Sequence, residues 1–256
     1  MKVVNWIVAF LMSITIGIVA TVAIINYVSS DYRWYSREYD KYNICETMNT
    51  EKTELGKATE KMVGYLKGSE ENLDVEVVVD GQTREFFNDR EKAHMEDVKA
   101  IYNKLAKIRN YCMVIAIGGG VYFTFAKRGS GVKYADYAPK AFGITGLVFL
   151  VAMVIAFIAL KTNFGSLFTV FHEKLFTNDL WLLDPSTDLL INMLPEGFFM
   201  DTALRIGKYL LICYVVMTAM YVVMASIRDT YQEGYARALE EYERKNGKIP
   251  EKNKRR

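Results

Sequence analysis

Residues 3–28 carry no charged side chain, and this run constrains the chain more than any other feature. It extends from Val3, Val4 and Trp6 to Ile24, Ile25, Tyr27 and Val28. An α-helix rises about 1.5 Å per residue, so about 20 such residues cross a hydrocarbon core of roughly 30 Å. A cleaved leader would have an apolar core of about 7–15 residues and a small-residue cleavage site. This run is longer and lacks Ala-x-Ala, so an uncleaved first span is expected. Three more apolar runs follow. Residues 108–126 begin with Arg109-Asn110, residues 141–160 hold no charge, and residues 206–227 hold only Lys208, whose stem can snorkel.

Basic residues in short connectors orient such a chain. The 127–140 connector has Lys127, Arg128, Lys133 and Lys140 against Asp136. The 228–256 tail has nine Lys and Arg. By contrast, 161–205 has three basic residues and six acidic ones. Both termini are therefore expected inside, with 29–107 and 161–205 outside. The fold class that follows is an all-α integral membrane protein. Four transmembrane helices would carry a small extracellular α+β cap containing a β-hairpin.

With 32 Lys and Arg against 30 Asp and Glu, nothing in the charge points to nucleic acid. Of three cysteines, Cys112 and Cys213 fall in spans and Cys45 stands alone outside, so they read as small apolar filler and a free thiol. Gly118-Gly119-Gly120 lies within a span, where close helix packing is the ordinary role.

In the first outside segment, residues 30–68 are charged and helix-friendly. Tyr32, Trp34, Tyr35, Tyr39 and Tyr42 read as an interfacial belt, or in part as substrate lining. Residues 73–87 alternate around Asp80-Gly81, a strong hairpin signal. Asn88 or Asp89 then caps a helix over 89–105, with Glu91 placed to complete a capping box. His94, Val98, Ile101, Leu105, Ile108 and Cys112 form one stripe on it. If the helix ran straight, His94 would stand roughly 21 Å above Ile108. A bend near Asn103 to Asn110 is therefore expected. In the second segment, Ser166 to Phe176 suit an interfacial helix, with Phe168, Phe171, Leu175 and Phe176 on one side. Asp184-Pro185 reads as a helix start leading Ser186 to Leu194, and Asp201 as the cap of the last helix.

The chain's two histidines, His94 and His172, fall one in each outside segment. Histidine suits proton transfer near neutral pH, although a buried structural role remains the alternative for His94. Around them lie two long, ordered motifs. The first is Phe87-Asn88-Asp89-Arg90-Glu91-Lys92-Ala93-His94-Met95-Glu96-Asp97-Val98. The second is Phe171-His172-Glu173-Lys174-Leu175-Phe176-Thr177-Asn178-Asp179-Leu180-Trp181, continuing to Asp188 and to Pro195-Glu196-Gly197-Phe198-Phe199. Together with the four runs, these resemble the bacterial lipoprotein intramolecular transacylases across nearly the whole chain.

That resemblance implies a membrane enzyme whose partners are a diacylated bacterial lipoprotein and membrane lipid. The sn-2 acyl chain would pass from glycerol oxygen to the α-amine of the same N-terminal cysteine, giving a lyso-form lipoprotein. The work would be done in the plasma membrane, at the extracellular face. It implies His94 and His172 as catalytic residues. Ester-to-amide transfer is downhill, so no cofactor is expected, and no Walker-type loop is present. Acid–base help of about 10²–10⁴-fold per group is about 3–5.5 kcal/mol. Holding amine against ester can supply effective molarities of about 10⁵ M or more. Asp97 or Asp188 would orient an imidazole, and Phe87, Phe171, Trp181 and Phe198 would wall out water. No acyl-enzyme is required, and Ser166 and Ser186 are merely near His172 in sequence.

Two other classes compete. A metal-dependent lipid hydrolase would need the histidines plus Asp97, Asp184 or Asp188, though no short-spaced histidine pair exists. A membrane receptor or assembly factor would use the aromatic, hairpin-bearing cap to hold a partner.

Overall fold

The computed structural model describes residues 2–129 and 134–246, and those residues are mostly helical. Parts of the 127–140 connector and of the tail past 246 lie outside the described residues. Helix α1 (Lys2–Ser29) is almost wholly apolar, and hydroxyls on it bond back to its own carbonyls: Thr15 and Thr21 donate to those of Leu11 and Gly17 at 2.8 Å. Three long helices pack around it: α5 (Asp89–Gly129), α6 (Tyr134–Thr162) and α9 (Glu196–Asn246) each contact α1, and α6 runs closest against α9.

Hydrogen bonds stitch this bundle where lipid supplies no partner. Ser13 and Thr145 join α1 to α6 at 2.7 Å, Thr21 and Tyr214 join α1 to α9 at 2.6 Å, and Tyr122 donates to Asn5 at 2.7 Å. The tightest helix approach is at Gly143 and Gly146 of α6. An added Cβ would fall 2.5 Å from Tyr221 and 2.6 Å from Thr218 of α9. The Gly118-Gly119-Gly120 triplet is less demanding: only Gly119 meets a neighbour, Met12. Large apolar side chains such as Val114, Ile117, Val148, Ile155 and Val222 point outward and stay exposed. Such a band is stable against lipid and costly against water. Among the described residues, three helices are long and apolar enough to cross a membrane, within Val3–Ser29, Tyr137–Thr162 and Glu196–Lys245. The 108–126 run of α5 is not among them, because Arg109, Asn110 and three glycines dilute it.

The cap is built from α2 (Tyr32–Lys41), α3 (Ile44–Thr47), α4 (Lys52–Lys67) and a two-stranded sheet. Gly68 ends α4 at φ 83°, the left-handed position that glycine occupies without strain. Strands β1 (Glu76–Val79) and β2 (Gln82–Glu85) pair antiparallel with Val79 opposite Gln82. Asp80 and Gly81 both have positive φ, as a two-residue hairpin turn demands. The paired hairpin is shorter than 73–87. Val77 and Val79 face inward onto Leu55, Met62 and Phe86 in one buried cluster. That cluster also takes Leu190, Met193 and Phe198, so the second outside segment completes the core of the first.

Several expectations change here. No break separates 89–105 from 108–126: α5 is continuous through 41 residues. Asp184 does not start a helix. Its Oδ1 accepts from the Ser186 amide two residues on, closing a turn, and only α8 (Leu189–Met193) follows, from Asp188. Asp201 does not cap the last helix, which begins at Glu196 directly after Pro195. Asp201 lies inside α9 and binds Lys41 and the Tyr42 phenol, tying α9 to α2. The interfacial helix expected at 166–176 is α7 (Phe164–Leu175).

One buried carboxyl locks the two outside segments together. Glu91 is fully buried. Its Oε2 accepts from the Asn88 amide at 2.7 Å while Asn88 Oδ1 accepts from the Glu91 amide at 3.0 Å, a reciprocal capping box. The second oxygen, Oε1, accepts from the Leu190 amide of α8. Burial pushes this carboxyl up from its usual range, and the two amides pull the other way. Glu91→Ala would strand both amides, each at about 1–3 kcal/mol. The expected outcome is a loss of about 2–6 kcal/mol, read as a lower thermal midpoint in detergent, with Glu91→Gln losing about half as much. An unchanged midpoint for the alanine variant would refute the lock.

Candidate active site

His94 lies one turn beyond the capping box on α5, and His172 lies in the last turn of α7. The fold brings them together: their ring centroids are 6.3 Å apart and tilted by 35°. A ring nitrogen reaches a bonded atom roughly 4 Å from the ring centre, so two rings at this spacing can both bond one reacting group. Both residues are 8% exposed.

The neighbourhood is aromatic. Trp181 stacks on His172 at 4.9 Å and 27°, Phe168 lies 4.2 Å away, and Phe171 meets it edge-on at 5.4 Å. Phe176 touches both imidazoles, His94 at 5.2 Å and His172 at 5.6 Å. Apolar walls penalise the imidazolium form. Burial, joined by repulsion from His172 and opposed by Asp97, brings His94 down to about 4. Burial also lowers His172, while its bond to the Phe168 carbonyl works against that. Both rings are therefore neutral at pH 7.

Their nitrogens differ. His172 Nδ1 lies 2.7 Å from the Phe168 carbonyl oxygen. A carbonyl only accepts, so Nδ1 carries the proton and Nε2 of neutral His172 presents a lone pair. His94 Nδ1 is buried with no hydrogen-bond partner among the described residues. A buried polar atom left open beside a second histidine marks a place where a bound group would complete the bonding.

The sequence-derived candidates divide. Phe171 and Trp181 lie against His172. Phe87 and Phe198 do not reach either imidazole among the described ring contacts: Phe87 packs on Phe86 at 4.8 Å and Phe198 on Tyr35 at 5.1 Å, both in the cap core. Asp97 stands near enough to raise His94, but its hydrogen bond comes from Asn178 at 2.8 Å. With Arg90 bonded to the Asp179 carbonyl, it pins the 177–181 turn that carries Trp181. Asp188 is buried and accepts from the Asn88 side chain at 2.8 Å and the Asp184 amide at 2.7 Å. It orients backbone and cap, and neither imidazole is among its described partners.

Helical periodicity sets Phe168 and Phe176, four residues before and four after His172, on one side of the 166–176 helix, and spacing sets Asn88 and Glu91 in a capping box. What sequence reasoning misses is that these phenylalanines wall the imidazoles and that Asn88, Glu91 and Asn178 brace the second outside segment. Among the described residues, no group of three His, Cys, Asp or Glu side chains is arranged to hold a metal ion.

Membrane-length helices and a braced, aromatic-walled histidine pair place the chain among multi-pass membrane proteins. The family of lipoprotein intramolecular transacylase Lit matches residues 7–199, and the chain belongs to that family of membrane acyltransferases. Its fold is similar to the in meso structure of the membrane integral lipoprotein intramolecular transacylase Lit from Bacillus cereus. The TM-score is 0.70 at 23% identity, over 90% of this chain and 100% of that one. Two variants of that protein, with a histidine replaced by arginine or by alanine, give TM-scores of 0.69 at 21% identity over 90% of this chain. They cover 96% and 97% of their own chains. No curated protein matches.

Proposed function

We propose that the chain moves the sn-2 acyl chain of a diacylglyceryl-lipoprotein onto the α-amine of that molecule's own N-terminal cysteine. The product is a lyso-form lipoprotein, and the lipoprotein and the surrounding lipid are the partners. Family membership supplies the reaction class. The observation that carries the mechanism is the histidine pair at 6.3 Å with unlike nitrogens.

His172 Nε2 is the base. The amine nitrogen attacks the ester carbonyl carbon, and as the C–N bond forms, Nε2 takes the proton that nitrogen sheds. His94, neutral because its imidazolium is disfavoured down to about 4, donates its N–H to the oxyanion. The tetrahedral carbon then collapses, the C–O bond to glycerol breaks, and the alkoxide takes the proton back from His172. Nothing is consumed and no acyl-enzyme forms. Ser186, one serine near His172 in sequence, already bonds Asp184 at 2.7 Å. The reaction is tested by the intact mass of a diacylated peptide, which stays constant while the acyl chain changes position.

The second half of α5 fits a fourth span, supported by its outward-facing Val114, Ile117 and Phe125 and by its packing of Gly119 on Met12 of α1. The basic connector and tail favour both termini on the cytoplasmic side of the plasma membrane, with the histidines at the extracellular face. With Cys45 replaced by alanine, a cysteine in place of Ser130, a position outside the described residues, is expected to resist an impermeant thiol reagent in intact cells. Labelling before lysis would reverse the topology.

A further inference from the structure

A large cleft lies apart from the histidine site. It opens beside the cap-side end of α1, has a volume of about 740 Å³, and is lined by Asn26, Ser30, Arg33, Lys67 and Arg109. Arg109 lies 15 residues past His94 on α5, roughly 22 Å along a continuous helix. None of the aromatic rings around the histidines lines it.

Three features belong together there. The first is depth. The charge-free run of α1 closes with Asn26, Tyr27 and Val28 before Ser29, Ser30 and Asp31, so Asn26 to Ser30 mark the height where hydrocarbon gives way to headgroups. Tyr27 and Tyr32, both exposed, line the cleft at that height, the usual level for tyrosine in a bilayer. The second is charge without counter-charge. Arg33, Lys67 and Arg109 come from three different helices or their ends, and none pairs with a carboxylate among the described residues. The Arg109 guanidinium bonds only the Asn110 side-chain oxygen, at 3.2–3.3 Å. The third is that the cleft's own acid is already satisfied: Asp31 is held by Arg205 at 2.6 Å. Glu60 bears on the Tyr32 phenol of the cleft wall. Three cations at headgroup depth, around a space large enough for a glycerophosphate, fit a phosphodiester.

We propose that this cleft holds the phosphate of a phospholipid in the cap-side leaflet. It is a lipid site apart from the acyl-transfer centre, whose diacylglyceryl substrate carries no phosphate. The bound headgroup seats the cap at a set height against the bilayer. Each cation near an anionic surface is worth about five-fold in affinity, so neutralising all three is expected to weaken binding by on the order of 10²-fold.

The test is native mass spectrometry and equilibrium binding on delipidated full-length protein in detergent. The probes are phosphatidylglycerol, diacylglycerol with the same acyl chains, and soluble glycerol phosphate. Phosphatidylglycerol is expected to bind saturably, and diacylglycerol is expected not to compete. The triple variant Arg33→Gln, Lys67→Gln, Arg109→Gln is expected to lose binding by on the order of 10²-fold. It should still turn over a diacylated peptide in detergent and unfold at the parent's temperature. The charge-preserving double variant Arg33→Lys, Arg109→Lys should retain binding. The proposal would be overturned by equal binding by diacylglycerol, by undiminished binding by the triple variant, or by equal loss in both variants. If glycerol phosphate displaces the lipid at matched concentration, the site is one for soluble phosphate, and the lipid assignment fails.

Discussion

His172→Ala is expected to slow acyl transfer by about 10²–10⁴-fold, the usual contribution of a placed general base. The Phe168 carbonyl holds the Nδ1 proton, so Nε2 is the basic nitrogen of the neutral ring, and alanine removes it. His94→Ala removes the proposed oxyanion donor and is expected to cost about 10²–10³-fold. If the two act on one tetrahedral centre as proposed, the double variant should lose far less than the product of the single losses. Asp97→Asn should cost less than about tenfold, since Asp97 accepts from Asn178 and not from an imidazole. Turnover of a diacylated peptide in detergent decides this, with thermal unfolding as the check on folding. Near-parental turnover in either alanine variant would remove that histidine from the mechanism.

The pH profile separates the two roles. A free α-amine titrates at about 7.7–8.0, so the rate should first fall below that point with the substrate, one proton per amine. His172 is lowered from 6.5, so its protonation should steepen the fall only further down. His94, at about 4, stays a neutral donor throughout the working range. A peptide with a less basic amine is expected to shift the upper break downward and leave the lower limb in place. If the upper break does not follow the amine, the assignment of His172 as the base for that amine fails.

Much of this fold is written in local pattern. Spans within 3–28, 141–160 and 206–227 are legible because lipid tolerates few charges and a helix needs a known length. The hairpin is legible because Asp80-Gly81 supplies two residues able to hold positive φ. The capping box is legible because Asn88 and Glu91 are three residues apart. What local pattern misses is competition from distant partners. Asp184-Pro185 has the chemistry of a helix start, but Asp184 turns back onto Ser186 while Asp188 begins the short helix. Asp201 has the chemistry of a cap, but Lys41 and Tyr42 of α2 claim it within α9. The same holds at the site. Phe87 and Phe198 sit in the motifs beside the histidines yet turn into the cap core, because that is where α8 and the hairpin bury them. Phe168 and Phe176 carry the wall instead: their shared helix side is legible, but that it meets His94 of α5 depends on packing between distant segments. Asp188 goes to Asn88 because α8 must be anchored to the start of α5, a contact spanning 100 residues.

No acyl chain is expected to cross between substrate molecules. The proposed step forms a C–N bond and breaks a C–O bond within one lipoprotein, so the product has the substrate's intact mass although its fragments differ. A hydrolase would lower the mass by one acyl group, and a transferase drawing on phospholipid would raise it by one. Constant mass alone still admits exchange between two lipoproteins, one giving and one receiving. Mixing a diacylated peptide with deuterated acyl chains and an unlabelled one of different sequence removes that ambiguity. Every N-acyl chain should match the label of its own glyceryl group, even at high substrate concentration. The physical reason is the size of the site: one pair of imidazoles at 6.3 Å, walled by Trp181, Phe168 and Phe176, suits one ester and the amine joined to it. Tethering also makes the intramolecular path faster by an effective molarity of about 10⁵ M or more, which no free donor in detergent can approach. The mixture should behave alike with and without chelator, and with no nucleotide or second lipid added. Mixed-label product, a mass change, or a requirement for added phospholipid would each sink intramolecular transfer.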